Sequence, residues 1–176
     1  VRPKDLVPIT PAIAEPTTGE TMGQSAEKMA KLNEITREEQ DHFALRSHRL
    51  AAAGTADGRL TAEQMPVYVP PRYESVVTSD NGIRSDTSFE QLSQLKPVFD
   101  RRYGTVTAGN ASPLTDGGAC VLLMSEAKAR SMGYEPLGYI RSYAYAALDP
   151  GEQLLQAPVL AAPVALDRAG LSLRDI

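Results

Sequence analysis

The sequence predicts an α/β chain whose first part is mostly helical and whose second part consists of strand-helix units. Two observations predict this class. Helix-start signatures, in which Thr is followed three residues later by Gln or Glu, occur three times between Thr21 and Glu90. Beyond them, two apolar runs alternate with helical patterns, which is the order of elements in α/β proteins.

Composition excludes several classes of protein. With 176 residues, of which 42% are hydrophobic and 23% charged, the chain can bury a core. A net charge of -4 argues against non-specific nucleic-acid binding, which needs a basic surface. One cysteine cannot form an internal disulfide, and no apolar run reaches the ~18 to 20 residues that span a bilayer. We therefore expect a cytoplasmic protein, or a mitochondrial one in a eukaryote.

The first elements follow from local signals. Four prolines in residues 1–20 predict a linker or a segment along the surface. The signature at Thr21 predicts a short helix, and the one at Thr36 predicts a long helix that Gly54 and Gly58 end. The abrupt start and finish of the sequence predict an internal fragment of a longer protein.

Short β-type runs and a third helix should follow. Residues 67–69 and 76–78 are short β-type runs, accompanied by Pro70-Pro71 and the turn-forming Asp80-Asn81-Gly82, and they predict an irregular strand pair. A third signature, Thr87 with Glu90, predicts a helix that carries Leu92 and Leu95 and that Pro97 ends.

The second part reads as strand, helix, strand, helix. The continuous apolar run of residues 119–124 predicts a strand buried on both faces, and Ser125 should cap the helix after it. The run GYIRSYAYAAL, which begins at Gly138, predicts a second strand. The last helix should be closed by Gly170.

The chain offers few residues with the chemistry of catalysis. His42 and His48 lie about 240° apart around one helix, so that helix cannot bring them to a shared metal. Cys120 falls within the predicted buried strand, without a nearby cation to lower its pKa, and this favours a structural cysteine. The acidic REEQD opens the long helix, where negative charge suits the helix dipole. By itself the chain does not read as a self-sufficient enzyme.

A stretch of sixteen residues with small side chains, GTVTAGNASPLTDGGA, is the most distinctive feature of the sequence. It contains four glycines and no aromatic residue. Small side chains let a backbone come close to a ligand, to another backbone or into a tight turn. From composition alone, these three alternatives stay open.

Several segments together resemble the thiolase family. They are ETMGQSAEKMA, ITREEQDHFALRSHRLAAA, IRSDTSFEQLSQLKPVFDRRYGTVTAGNAS with TDGGACVLLMSEAKARSMG, and PLGYIRSYAYAALDP. The greatest likeness is to degradative 3-ketoacyl-CoA thiolases of the kind found as the beta subunit of the trifunctional β-oxidation enzyme. The likeness runs collinearly from Glu20 to Ile176.

This resemblance implies three domain pieces. Residues 1–113 resemble part of the loop domain that holds coenzyme A, 114–136 the last strand and helix of the first core domain, and 137–176 the first strand and helix of the second. The family's nucleophilic cysteine precedes this region. Its Asn-Glu-Ala-Phe motif, its Gly-His-Pro histidine and its second cysteine follow it. None of the 176 residues is therefore expected to be catalytic.

The implied activity is acyl transfer in fatty-acid β-oxidation and lipid metabolism, with coenzyme A or acyl-CoA as substrate and no covalently bound cofactor. The implied partners are 3-ketoacyl-CoA and the remaining thiolase chain, in a homodimer or tetramer, with a hydratase/dehydrogenase alpha subunit as a further candidate. The chain alone should be inactive. The alternative is a non-catalytic module that binds coenzyme A or assembles subunits.

Seven residues match positions that contact coenzyme A in the family. Arg84 matches the arginine that stacks on the adenine, and Ser112 a serine whose hydroxyl bonds a pantetheine amide. The other five match apolar or small positions along the pantetheine or the nucleotide: Met22, Leu95, Phe99, Ala108 and Ala111. A turn arginine, a turn serine and ordinary core positions for Leu95 and Phe99 are the alternatives.

The sequence also departs from the family pattern. Thr21 replaces a histidine, and Gln91 a serine, of acetoacetyl-CoA-specific members. Both departures favour the degradative branch, which acts on longer substrates. Gln156-Ala157-Pro158 replaces an expected glycine before proline, which predicts a reshaped turn.

Overall fold

A computed structural model describes residues 14–115 and 117–176. Most of the predicted proline-rich segment, residues 1–13, and Asp116 of the small-residue stretch lie outside the described residues. The chain divides into two compact units, Val1–Pro113 and Leu114–Ile176. We call them unit 1 and unit 2. Their assignment to loop and core domains stays a prediction.

Two well-capped helices lead unit 1. Helix α1 spans Met22–Leu32, and helix α2 spans Arg37–Ala56. The side chains of Thr21 and Thr36 each accept the N–H group three residues on, as the sequence predicts. Helix α2 runs through Gly54, so the expected stop at that residue is wrong. A Cβ atom there would lie 3.1 Å from Leu60 Cγ, which shows that Gly54 allows close packing instead.

The predicted strand pair is present as β1, Val67–Tyr68, and β2, Val76–Val77. They are antiparallel, with Val67 opposite Val77. Helix α3 is shorter than expected and spans Phe89–Ser93. Its capping pair is Ser88 with Gln91, one residue later than predicted, because Ser88 has the extended backbone that an N-cap requires.

Among the described residues of unit 1, as many polar as apolar side chains are buried. Its described buried apolar side chains come from both long helices, from α3 and from the small-residue stretch: Ala30, Leu45, Leu92 and Val106. As many polar residues are buried, namely Ser25, Glu27, Asp41 and Thr107. Buried polar groups need hydrogen-bond partners, so the fold of unit 1 depends on a polar network.

Unit 2 contains helix α4, Glu126–Ser131, and helix α5, Ala157–Ala169. Ser125 caps α4, and Gly170 ends α5 in the left-handed conformation with φ at 67°. Both assignments agree with the sequence prediction. Ser142 Oγ donates to the carbonyl of Ala165 at 2.6 Å, which ties the segment before α5 to that helix.

The two predicted strands of unit 2 are not strands in the structure. All of residues 119–124 and 138–148 are described, and none has regular secondary structure. The run expected to be buried is exposed, with Leu122 at 74%, and Cys120 is exposed too. The prediction was wrong because a strand buried on both faces needs paired neighbours and two covering layers, and the described residues supply neither.

Candidate functional site

The loop of residues 104–112, which we call the small-residue loop, lies in unit 1 and carries three of the seven predicted contact residues. It pairs with the segment after α3, where the N–H of Val98 donates to the carbonyl of Val106 at 3.0 Å. Val106 and Thr107 are buried, whereas Ala108 and Ser112 are exposed. The loop is therefore fixed at its centre while one side stays accessible.

A close contact places Leu95 against this loop. A Cβ atom at Gly109 would lie 2.5 Å from Leu95 Cδ1 and 2.6 Å from Leu92 Cδ2, so both leucines pack directly on bare backbone. Leu92 is buried, but Leu95 keeps 39% of its surface exposed. Leu95 therefore packs on Gly109 of the loop and retains surface for another contact.

A second close contact joins Phe99 to the start of α1. The Phe99 ring occupies the space that a side chain at Gly23 would need. Phe99 is 38% exposed, and Met22, next to Gly23, is 46% exposed. Phe99 also lines a shallow cavity of about 390 Å³, together with Glu20, Gln24, Glu27, Lys28, Lys31 and Leu32. Neither Phe99 nor Leu95 is an ordinary core residue.

Arg84 lies beside His48 of helix α2. It is exposed, and its backbone N–H donates to Nδ1 of His48 at 3.2 Å. His42 stacks on the Phe89 ring of α3, with ring centroids 4.3 Å apart. Both histidines thus have structural contacts between α2 and the residues that follow it in sequence.

Two buried carboxylates hold the small-residue loop, and sequence reasoning missed both. Asp41 is fully buried; it accepts from Arg37 Nε at 2.7 Å and from Asn110 Nδ2 at 2.9 Å. Glu27 accepts from the backbone of Thr105 and Val106. A signal existed, because Asp41 precedes Leu45 by four residues and Glu27 precedes Ala30 by three, which places each carboxylate on the buried face.

Arg37 links this network to α3. Its guanidinium donates to the carbonyl of Leu95 at 3.1 Å and to that of Leu92 at 2.5 Å. These carbonyls lie at and beyond the C-terminal end of α3, where backbone acceptors lack helical partners. Arg37, held by Asp41, thus fixes the backbone of Leu95. The Leu95 side chain packs on Gly109.

Comparison with known proteins agrees with this arrangement of helices and loop. Residues 4–127 match the family described as "Thiolase, N-terminal domain". The match covers more than half of the 176 residues. The chain belongs to the thiolase family.

Similar curated thiolases extend over the whole chain. A 3-ketoacyl-CoA thiolase of Pectobacterium atrosepticum is 55% identical over 176 residues, which are 100% of this chain and 40% of that protein. The corresponding thiolase of Pseudoalteromonas translucida is 53% identical over the same shares. The chain thus spans about 40% of the length of the curated relatives it matches.

Solved thiolase structures share the fold. An acetyl-CoA acetyltransferase of Bacillus anthracis has a TM-score of 0.84 and 39% identity, covering 93% of this chain and 41% of that one. The human mitochondrial 3-ketoacyl-CoA thiolase in complex with CoA has a TM-score of 0.84 and 35% identity, covering 93% and 40%. These similarities confirm the predicted family and the α/β thiolase fold class.

The residues predicted to depart from the family pattern have local structural roles. Thr21 is the N-cap of α1, and its N–H donates to Gln24 Oε1 at 2.8 Å. Gln91 accepts the N–H of Ser88 at 3.0 Å and completes the cap of α3. Both side chains are therefore already engaged in capping. The third departure, Gln156-Ala157-Pro158, leads directly into α5, with proline in its first turn.

Residues 14–115 and 117–176 show neither a metal site nor a membrane-spanning helix. Within that part of the chain, no group of three or more His, Cys, Asp or Glu side chains could hold a metal ion. No helix described there is both long and apolar enough to cross a membrane.

Proposed function

We propose that the chain is the coenzyme A-holding part of a 3-ketoacyl-CoA thiolase of fatty-acid β-oxidation. One observation carries the proposal: the small-residue loop is anchored by buried side chains of α1 and α2, its Gly109 packs against the half-exposed Leu95, and its Ala108 and Ser112 are exposed. Such a wall of small and apolar groups suits a pantetheine arm, which is slender and carries two amides. The identity to curated thiolases supports the same function.

In the whole enzyme the reaction would be an acyl exchange. A cysteine thiolate attacks the 3-keto carbon, the bond between the second and third carbons breaks, and the departing acetyl-CoA carbanion takes up a proton. A second CoA then gives its thiol proton to a base, its sulfur attacks the acyl-enzyme, and the cysteine thiolate leaves. Because the family's reacting cysteines and histidine have no counterpart here, the chain contributes binding and orientation, and we expect it to show no turnover.

Within this proposal, Arg84 would hold the nucleotide. Arg84 is exposed, so its guanidinium can lie against an adenine and form a stacked cation–π contact. Phe99 and Met22 would contact the pantetheine with their exposed surfaces, and the Ser112 hydroxyl would bond a pantetheine amide. The ligand of this region would be CoA or a 3-ketoacyl-CoA, and the protein would be cytoplasmic, or mitochondrial in a eukaryote.

Calorimetric titration of the chain with CoA tests the proposal. Arg84→Ala should weaken binding roughly fivefold, which corresponds to the loss of one exposed cation–π contact. Arg72→Ala is the matched control, because it removes the same charge from another exposed position of unit 1. A wild-type chain that binds no CoA, or an equal loss in both variants, would contradict the function proposed for this region.

We also propose that the chain assembles with the remaining thiolase chain and with other copies of itself. The apolar segments of unit 2 support this, since Leu122, Leu137 and Ile140 are all largely exposed. Exposed, unpaired apolar segments favour association. Sedimentation should show concentration-dependent association that Leu122→Glu reduces. A monomer at all concentrations would argue against assembly through unit 2.

A further inference from the structure

Glu27 is a charged residue in an interior position of unit 1. It lies on α1, and only 4% of its surface is exposed. Both of its carboxylate oxygens accept from the small-residue loop. The N–H of Thr105 lies 2.8 Å from Oε1 and 3.0 Å from Oε2, and the N–H of Val106 lies 2.9 Å from Oε2. A carboxylate that accepts several backbone N–H groups holds them strongly.

The hydroxyl of Thr105 completes the set of donors. Gln40 Nε2, from α2, donates to Thr105 Oγ1 at 2.9 Å, so the Thr105 hydrogen is directed toward Glu27 Oε1, 3.0 Å away. Gln40 is oriented in turn by the carbonyl of Ile35 at 3.3 Å. A continuous chain of hydrogen bonds therefore runs from α2 through the loop to α1.

The loop backbone is shaped to receive this carboxylate. A Cβ atom at Gly104 would lie 2.9 Å from Glu27 Oε2 and would also overlap the carbonyl oxygen of Asp100. Three residues beyond Thr107, Asn110 closes the loop, since its Oδ1 accepts the N–H of Thr107 at 2.7 Å. Glu27 thus fixes the start of the loop, while Asn110 fixes its centre.

We propose that Glu27 is a positioning residue for the coenzyme-binding wall of this thiolase. It acts through the backbone of Thr105 and Val106, and thereby sets where Ala108, Ala111 and Ser112 lie. It does not itself touch the ligand. This inference rests on the proposed function, because the wall matters only if pantetheine lies along it.

The first test replaces one carboxylate oxygen with an amide. Glu27→Gln places an NH₂ group against N–H donors, so amide hydrogen exchange at Thr105 and Val106 should become at least about tenfold faster. The control is Glu63→Gln, an exposed glutamate of unit 1. Unchanged exchange rates at both amides would show that Glu27 does not hold the loop.

The second test separates positioning from general stability. CoA and adenosine 3′,5′-bisphosphate, which lacks pantetheine, are titrated into the wild-type chain and each variant. Glu27→Gln should weaken CoA binding about tenfold, the loss expected for hydrogen bonds to a charged group, and leave the bisphosphate unaffected. Arg84→Ala should weaken both ligands. An equal loss for both ligands in Glu27→Gln would overturn the positioning role.

A milder variant guards against failure to fold. Thr105→Val keeps both backbone N–H groups and removes only the hydroxyl donor, so CoA affinity should fall roughly threefold. Unchanged CoA affinity would contradict the inference. If the wild-type chain binds no CoA at all, the proposed function fails, and the exchange rates of Thr105 and Val106 still decide whether Glu27 fixes the loop.

Discussion

The two units satisfy their side chains in opposite ways. Unit 1 buries charged and polar residues, with Asp41 at 0% and Glu27 at 4% exposure, and supplies a partner for each. Unit 2 leaves apolar residues exposed, with Val121 at 78% and Leu122 at 74%. Side-chain hydrogen bonds need only one well-placed partner, whereas an apolar strand needs whole layers around it. The part of the chain that the structure describes supplies these hydrogen-bond partners, but it does not supply the layers that would cover the apolar segments.

Unit 2 contains a groove along its exposed apolar segments. It measures about 860 Å³ and is lined by the two apolar segments, among them Val121, Leu123 and Ile140. Both segments line this groove, and neither is paired as a strand. Changes inside unit 1 should therefore be costly, while equivalent changes in unit 2 should be tolerated.

Removal of a buried carboxylate should have the largest effect. Asp41→Ala leaves the guanidinium of Arg37 and the amide of Asn110 without their acceptor, and we expect a loss of about 3 kcal/mol in the free energy of unfolding. Urea unfolding measures it. Asp57→Ala, which breaks an exposed pair with Arg59 at 2.7 Å, should cost much less. Equal losses would mean that burial does not distinguish the two pairs.

A methyl group added at matched glycines compares the two units directly. Gly109→Ala should cost roughly 1 to 2 kcal/mol, because its Cβ would lie 2.5 Å from Leu95. Gly118→Ala in unit 2 has nothing within 4 Å and should change stability by about 0.5 kcal/mol or less. Thermal unfolding of both variants would show the contrast. Similar shifts in the midpoint would remove it.

The smallest effect should be on a titration. The Lys31 ammonium lies 2.6 Å from the Asp100 carboxylate. This hydrogen-bonded ion pair, with the N–H groups of Tyr103 and Arg102, lowers the pKa of Asp100 to about 2. Since the folded pKa is the lower one, this group's contribution to stability is complete above pH ~4 and is lost as pH falls toward 2.

Lys31→Met should therefore raise the pKa of Asp100 toward its ordinary value, as followed by NMR of the side-chain carboxyl carbon. The remaining backbone donors should keep part of the lowering. Lys96→Met serves as the control, because Lys96 is exposed and Asp100 owes none of its lowered pKa to it. A pKa unaffected by Lys31→Met would mean that the backbone N–H groups account for the whole lowering.

Local signals in the sequence were enough to place the helices. N-caps at Thr21, Thr36 and Ser125 depend on a few adjacent atoms, and all three are found where the pattern predicts them. The third capping pair was placed one residue early, because Thr87 and Ser88 offer the same hydroxyl chemistry. Such a choice depends on backbone angles that composition does not contain.

Long-range contacts were not predictable in the same way. The anchors of the small-residue loop join residues 69 to 79 positions apart, such as Asp41 with Asn110 and Glu27 with Val106. The resemblance to thiolases drew attention to the loop. The need for a small residue has a physical reason at Gly109, where Leu92 and Leu95 pack directly on the backbone. The strand predictions for unit 2 were wrong because a continuous apolar run indicates burial, and burial depends on other segments that cover the run.

The capping pairs limit which residues can replace Thr21 and Gln91. Thr21 and Gln91 are the residues that begin α1 and complete the cap of α3. Replacing Thr21 or Gln91 would alter a helix start along with any other contact that the side chain makes. Loss of a cap costs about 1 kcal/mol. A variant at either position would therefore need a residue that also caps its helix.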